Sequence, residues 1–72
     1  MRIKIKQGVL YSLCKQEGIS RDELARRIGV NRATAYRIDE GMADPSPKFI
    51  GGLIHVSGKK FEDLFEIEDA AA

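Results

Sequence analysis

The sequence predicts an all-α fold of five short helices, and three kinds of observation predict it. Residues that favour helix N-caps stand at Ser20, Asn31 and Ser46, where a side-chain oxygen can accept the free N–H groups of a first turn. Glycines stand at 18, 29 and 41, where helices should stop, because a helix commonly ends on a left-handed residue. Between these marks, apolar residues recur at helical spacing, as in Leu24, Ala25 and Ile28.

The opening M-R-I-K-I-K alternates apolar and basic residues, a period of two. Residues 1–5 therefore read as a short edge strand, a flexible basic arm, or the frayed start of helix 1. That helix should run from about Lys6 to Glu17, with Val9, Leu10, Leu13 and Cys14 on its buried side. Ser20 and Glu23 frame a capping box for helix 2. Leu24, Ala25 and Ile28 form its apolar face, and Val30 dips into the core after Gly29. Asn31 caps helix 3, which should bury Ala35 and Ile38 and close at Gly41. Its opposite face carries Arg32, Ala33, Tyr36 and Arg37, a span of roughly 140° at about 100° per residue.

After the loop M-A-D-P, Ser46 caps helix 4 and Pro47 takes its first position, where no hydrogen bond is lost. Phe49, Ile50, Leu53, Ile54 and Val56 supply its apolar surface. Gly51 and Gly52 lie inside this helix and cost about 1 kcal/mol each against alanine. They imply either a close helix–helix approach or a locally loose helix. Helix 5 falls at F-E-D-L-F, packing Phe61, Leu64 and Phe65. The acidic tail, residues 67–72, should fray.

Seventy-two residues leave room for one domain, spanning 1–72, that buries only about 60% of its unfolded surface. Composition is that of an ordinary soluble fold: 43% apolar and 32% charged is too apolar for disorder. No apolar run approaches the ~18 residues of a membrane span. The basic start lacks an apolar segment and cleavage site, so it is not a signal peptide. The lone Cys14 has no internal disulfide partner and fits a reducing cytoplasm. A net charge of +1 hides a polarised chain. Residues 1–37 carry nine Lys and Arg against three acids, and residues 38–72 carry three Lys against eight acids. A basic patch facing nucleic acid matters more than the total. Charge alone does not choose between that patch and two unrelated solvated faces.

Enzyme chemistry finds little support. There is one histidine, His55, on an amphipathic helix, and one cysteine on an apolar face. No metal-ligand spacing, phosphate-binding glycine loop or nucleophile elbow occurs. No metal or cofactor is implied.

Taken in order, L-Y-S-L-C-K-Q-E-G-I-S-R-D-E-L-A, G-V-N-R-A-T-A-Y-R-I-D-E-G, D-P-S-P-K-F-I and F-E-D-L-F resemble the lambda-repressor/Cro-type (XRE-like) helix-turn-helix family. The resemblance covers roughly residues 5–66, with the helix-turn-helix at 20–41. No single element is specific; the order and spacing of all of them is. It implies a five-helix lambda-repressor-like domain that binds double-stranded DNA and regulates transcription, helix 3 entering the major groove. Without a second, dimerising domain, the chain resembles Cro-like or stand-alone repressors of phages and mobile elements.

By resemblance, Arg32, Ala33, Thr34 and Arg37 match positions that touch base edges, with Tyr36 beside them. Arginine pairs bidentately with guanine, and small apolar groups meet a thymine methyl. The plainer reading of either arginine is a phosphate contact, and of Tyr36 a solvated aromatic. Arg21 replaces a family glutamine that binds phosphate, and an arginine at a helix N-terminus suits an anion. Ser20, Asn31 and Lys48 are the other phosphate candidates, although the first two are also simple caps. Arg27 reads as solvated, and Arg2, Lys4 and Lys6 as an arm or as solubility charges. One family feature is broken. Asp39 keeps an acid that usually pairs with a helix 1 arginine, but the matching position is Cys14, so the pair should be absent or rerouted to Lys15.

The competing class is a helix-turn-helix fold that grips a partner protein. Such a domain should have lost the basic outer face of helix 3, and this one keeps it. A weak homodimer is expected through the C-terminal half, with Met42, Phe49 and Phe65 as candidate contacts.

Overall fold

The structure is a computed structural model and describes residues 1–69. Its elements run β1 (Arg2–Ile5), α1 (Val9–Glu17), α2 (Arg21–Ile28), α3 (Arg32–Asp39), α4 (Pro47–Ser57), α5 (Phe61–Leu64) and β2 (Phe65–Glu68). Five helices are present, but the fold is not all-α. β1 and β2 form a two-stranded antiparallel sheet in the register Arg2↔Glu68, Ile3↔Ile67, Lys4↔Glu66 and Ile5↔Phe65.

That sheet corrects both ends of the sequence reading. The segment expected to be a fraying acidic tail is paired through Glu68; residues 70–72 lie outside the described residues. Basic Arg2 and Lys4 face acidic Glu68 and Glu66 across the ladder, a favourable cross-strand pairing. Lys4 Nζ lies 3.3 Å from Glu68 Oε2, and Arg2 Nη2 lies 2.7 Å from Asp44 Oδ1. Arg2 and Lys4 are thus tied down rather than parts of a free arm. α1 starts at Val9 rather than near Lys6, because the Lys6 N–H donates to Leu64 O and extends the ladder. Gly8, at φ 84°, then turns the chain into the helix.

Three N-caps form as their sequences dictate. Ser20 Oγ accepts from Glu23 N at 3.1 Å, Asn31 Oδ1 from Thr34 N at 2.7 Å, and Ser46 Oγ from Phe49 N at 3.2 Å. The Glu23 carboxylate bonds forward to Arg27 Nε at 3.3 Å and is not the reciprocal half of a capping box. Arg27 also approaches Glu17 at 3.9 Å, so it is ion-paired and not simply solvated.

The core sits under α4. Phe49 and Leu53 are fully buried, with Leu24, Ala25 and Ile28 of α2, Leu10 and Leu13 of α1, and Leu64 and Phe65 around them. Phe65 meets Phe49 edge-on at 6.4 Å and stacks on Phe61 at 5.2 Å. Phe49 and Phe65 are therefore not dimer contacts, because each is spent inside its own protomer. The paired glycines divide. A Cβ at Gly52 would collide with the Ile28 carbonyl oxygen and stand 3.0 Å from Ile28 Cγ2, whereas one at Gly51 would meet open space. Close approach of α4 to α2 explains Gly52 and leaves Gly51 without a structural reason.

Candidate nucleic-acid interface

α3 is an eight-residue helix, about 12 Å long at 1.5 Å per residue. Ala35 and Ile38 are buried, while Arg32, Ala33, Tyr36 and Arg37 are exposed on its other side. Tyr36, at 54% exposure, is one of the large residues left facing solvent. Thr34 is half-buried, and its N–H is taken by the Asn31 cap. Ala33 is therefore better presented than Thr34. An α-helix about 10–12 Å across with its side chains fits a major groove about 12 Å wide, and this one turns one small apolar and two cationic residues outward.

The caps leave donors available. Ser20 and Asn31 each accept with an oxygen, so the Ser20 hydroxyl and the Asn31 amide N–H groups remain free to donate outward. Lys48 reaches the same region from α4. A Cβ built on Gly29 would stand 3.1 Å from Lys48 Cε, so the lysine stem crosses the end of α2. Among the described residues, neither Lys48 nor Arg37 forms a salt bridge.

Arg21 and Arg32 are held by acids. Arg21 Nη1 lies 2.9 Å from Asp39 Oδ2, whose side chain is only 12% exposed. The acid of α3 is thus rerouted to the first residue of α2. It does not go to Lys15, whose ammonium lies over the Tyr11 ring at 5.9 Å. Arg32 Nε lies 3.3 Å from Asp22 Oδ1, with both side chains well exposed. The sequence reading missed both pairs. Asp22 follows the cap and reads as an ordinary first-turn acid, and its contact depends on how α3 folds back toward the start of α2.

Behind this surface, half-buried Cys14 belongs to the apolar packing. Burial pushes its thiol pKa up; Arg21 pulls it down and Asp39 adds a smaller upward push. A cleft of about 500 Å³ lies between β1 and the end of α3. Its cations Arg2, Lys4 and Arg21 each face a carboxylate. Among the described residues, no cluster of His, Cys, Asp and Glu is suited to hold a metal, and no helix is long and apolar enough to cross a membrane.

Two short helices about a tight turn, capped at both starts and carrying a basic outer face on the second, define a DNA-binding helix-turn-helix domain. The chain belongs to the XRE-type helix-turn-helix family: the family model, described as helix-turn-helix, matches residues 10–64. It is 37% identical over 51 residues to an uncharacterized HTH-type transcriptional regulator of Methanocaldococcus jannaschii, covering 71% of this chain and 77% of that protein. It is 34% identical over 64 residues to the uncharacterized HTH-type transcriptional regulator YvzC of Bacillus subtilis, covering 89% and 83%. A third similar regulator, from Archaeoglobus fulgidus, is 33% identical over 52 residues, covering 72% of this chain and 74% of its own. No solved structure matches significantly.

Proposed function

We propose that this chain binds double-stranded DNA sequence-specifically and regulates transcription as a Cro-like repressor of phage or mobile-element type. It would act in the cytoplasm of a prokaryotic or phage-infected cell. One observation carries the reading. α3 buries Ala35 and Ile38 and turns Arg32, Ala33, Tyr36 and Arg37 to solvent, a face that has no structural role in the protomer's core. Arg32 and Arg37 read guanine edges, Ala33 and the Thr34 methyl meet apolar base groups, and Tyr36 lies over the groove wall. Ser20, Arg21, Asn31 and Lys48 clamp phosphates on either side. The protein is a binder of DNA, not a catalyst, and needs no cofactor.

One reading helix gives limited affinity, so two copies act together on half-sites about 34–36 Å apart. With Phe49 and Phe65 buried, the exposed apolar residues left in the C-terminal half are Met42 and Ile67, at 63% and 58% exposure. The homodimer is weak and forms mainly on DNA.

Selection from a random duplex pool tests this directly. It should return an inverted repeat, and Arg32→Ala or Arg37→Ala should each cost about 1–3 kcal/mol and relax one base pair per half-site. Unchanged binding by both variants would remove α3 as the reader. A single asymmetric half-site filled by one protomer would remove the dimer.

A further inference from the structure

We propose that Asp22 is a positioning residue whose charge restrains Arg32 and thereby sharpens base choice at the pair Arg32 reads. The inference rests on the reading of α3 given above. Asp22 Oδ1, in the first turn of α2, lies 3.3 Å from Nε of Arg32 at the start of α3. An exposed ion pair of this kind adds little to fold stability, so stability does not account for it. Its geometry does something else. A guanidinium is a rigid planar fork with five N–H donors. The Asp22 carboxylate sits at the Nε edge as an ion pair without hydrogen-bond alignment, so its charge restrains where the fork lies and leaves the two terminal nitrogens free, and two donors are what guanine O6 and N7 accept. Arg32 is the first residue of α3, and its side chain is 78% exposed. Without an anchor it would sample many rotamers and lose that freedom on every binding event.

Asp22 has a second, opposite effect. It stands next to Arg21 at the N-terminus of α2, where phosphate is proposed to sit. A carboxylate there repels every duplex alike. Asp22 therefore lowers affinity for all sequences while raising the preference for one. Arg37 forms no salt bridge among the described residues, so its base pair serves as an internal control.

The experiment measures binding to the selected site and to each of its single-base variants, for the parent, Arg32→Ala, Asp22→Ala, Asp22→Asn and the Arg32→Ala/Asp22→Ala double variant. Arg32→Ala should abolish preference at one base pair. Asp22→Ala should bind random duplex more tightly, yet cut preference at that same pair by roughly threefold or more, the scale of coupling between contacting residues. The double variant should prefer no less than Arg32→Ala alone. Asp22→Asn removes the charge at nearly the same shape and should lose the same preference as Asp22→Ala; a retained preference would overturn the electrostatic restraint. Tighter binding of all sequences by Asp22→Ala with an intact preference pattern would overturn the proposal. So would equal loss at the base pair assigned to Arg37, which would mark a general disturbance of α2. If Arg32→Ala itself leaves every preference intact, the base-reading role of Arg32 fails first, and that outcome is distinct from failure of Asp22 alone.

Discussion

Asp39 is nearly buried and meets Arg21 at 2.9 Å, so Arg21 has a structural partner as well as a proposed phosphate. Arg21→Ala should then do two things. The slope of log K against log salt should become shallower by about one unit, with base preference unchanged. The fold should also lose about 1 kcal/mol in denaturant titration, at the upper end for exposed pairs because Asp39 would be stranded. Loss of stability with an unchanged salt slope would leave Arg21 a structural residue only. Cys14 gives a pH prediction. Its folded thiol pKa is raised, chiefly by burial. In the thiol range the unfolded chain therefore releases its proton before the folded one does. The stabilising contribution is complete below the unfolded pKa and is lost as pH rises toward the folded one. Alkylation of Cys14 should lag a free thiol and follow a profile shifted to higher pH; a profile matching that of an unfolded peptide would contradict this. At this scale the caps were legible, because Ser20, Asn31 and Ser46 act on their own turns. The pairs Arg21–Asp39 and Arg32–Asp22 were not, since each joins residues of different helices.

Helix α4 shows what a sequence can and cannot say about an element. Two adjacent glycines look alike in the chain, yet only Gly52 faces the Ile28 carbonyl. Gly51→Ala should stabilise the protein by about 0.5–1 kcal/mol through helix propensity. Gly52→Ala should destabilise it, because backbone on α2 would have to move; overpacking of this kind costs about 1–3 kcal/mol. Thermal melts of the two variants should shift in opposite directions, and equal shifts would deny the close approach. The strands were half legible. R-I-K-I alternates plainly, but its partner F-E-I-E reads as the start of an acidic tail when taken alone. A two-residue period names a strand without naming its neighbour, and here the neighbour lies some sixty positions away. Likewise, Phe49 and Phe65 look available on short amphipathic segments until α4 and α5 meet.

Across the whole molecule, the opposite charges of the two halves are partly neutralised where the halves touch. Arg2 reaches Asp44 and Lys4 reaches Glu68, while Arg37 and Lys48 remain without a salt bridge among the described residues. Two cations of the proposed interface are thereby left unneutralised, whereas Arg2 and Lys4 of the N-terminal strand are not. Ile5 couples that strand to the core at 7% exposure. Ile5→Ala should cost about 2–4 kcal/mol, a large share of the 5–15 kcal/mol typical of a domain. Below its melting transition the variant should still choose the same DNA sequence, since none of the proposed reading residues lies on β1. A changed base preference would show that β1 shapes the reading surface.

The pairing of Ile3 with Ile67 also sets a timetable. At a synthesis rate of about 5–20 residues per second, β1 waits for several seconds before its partner strand exists. The helices that read DNA can assemble during that interval; the seam that joins the two ends cannot. A chain interrupted anywhere before Phe65 would leave Ile3 and Ile5 unmatched at the far end of the sequence. Damage at β2 is therefore felt at β1, some sixty positions earlier in the chain.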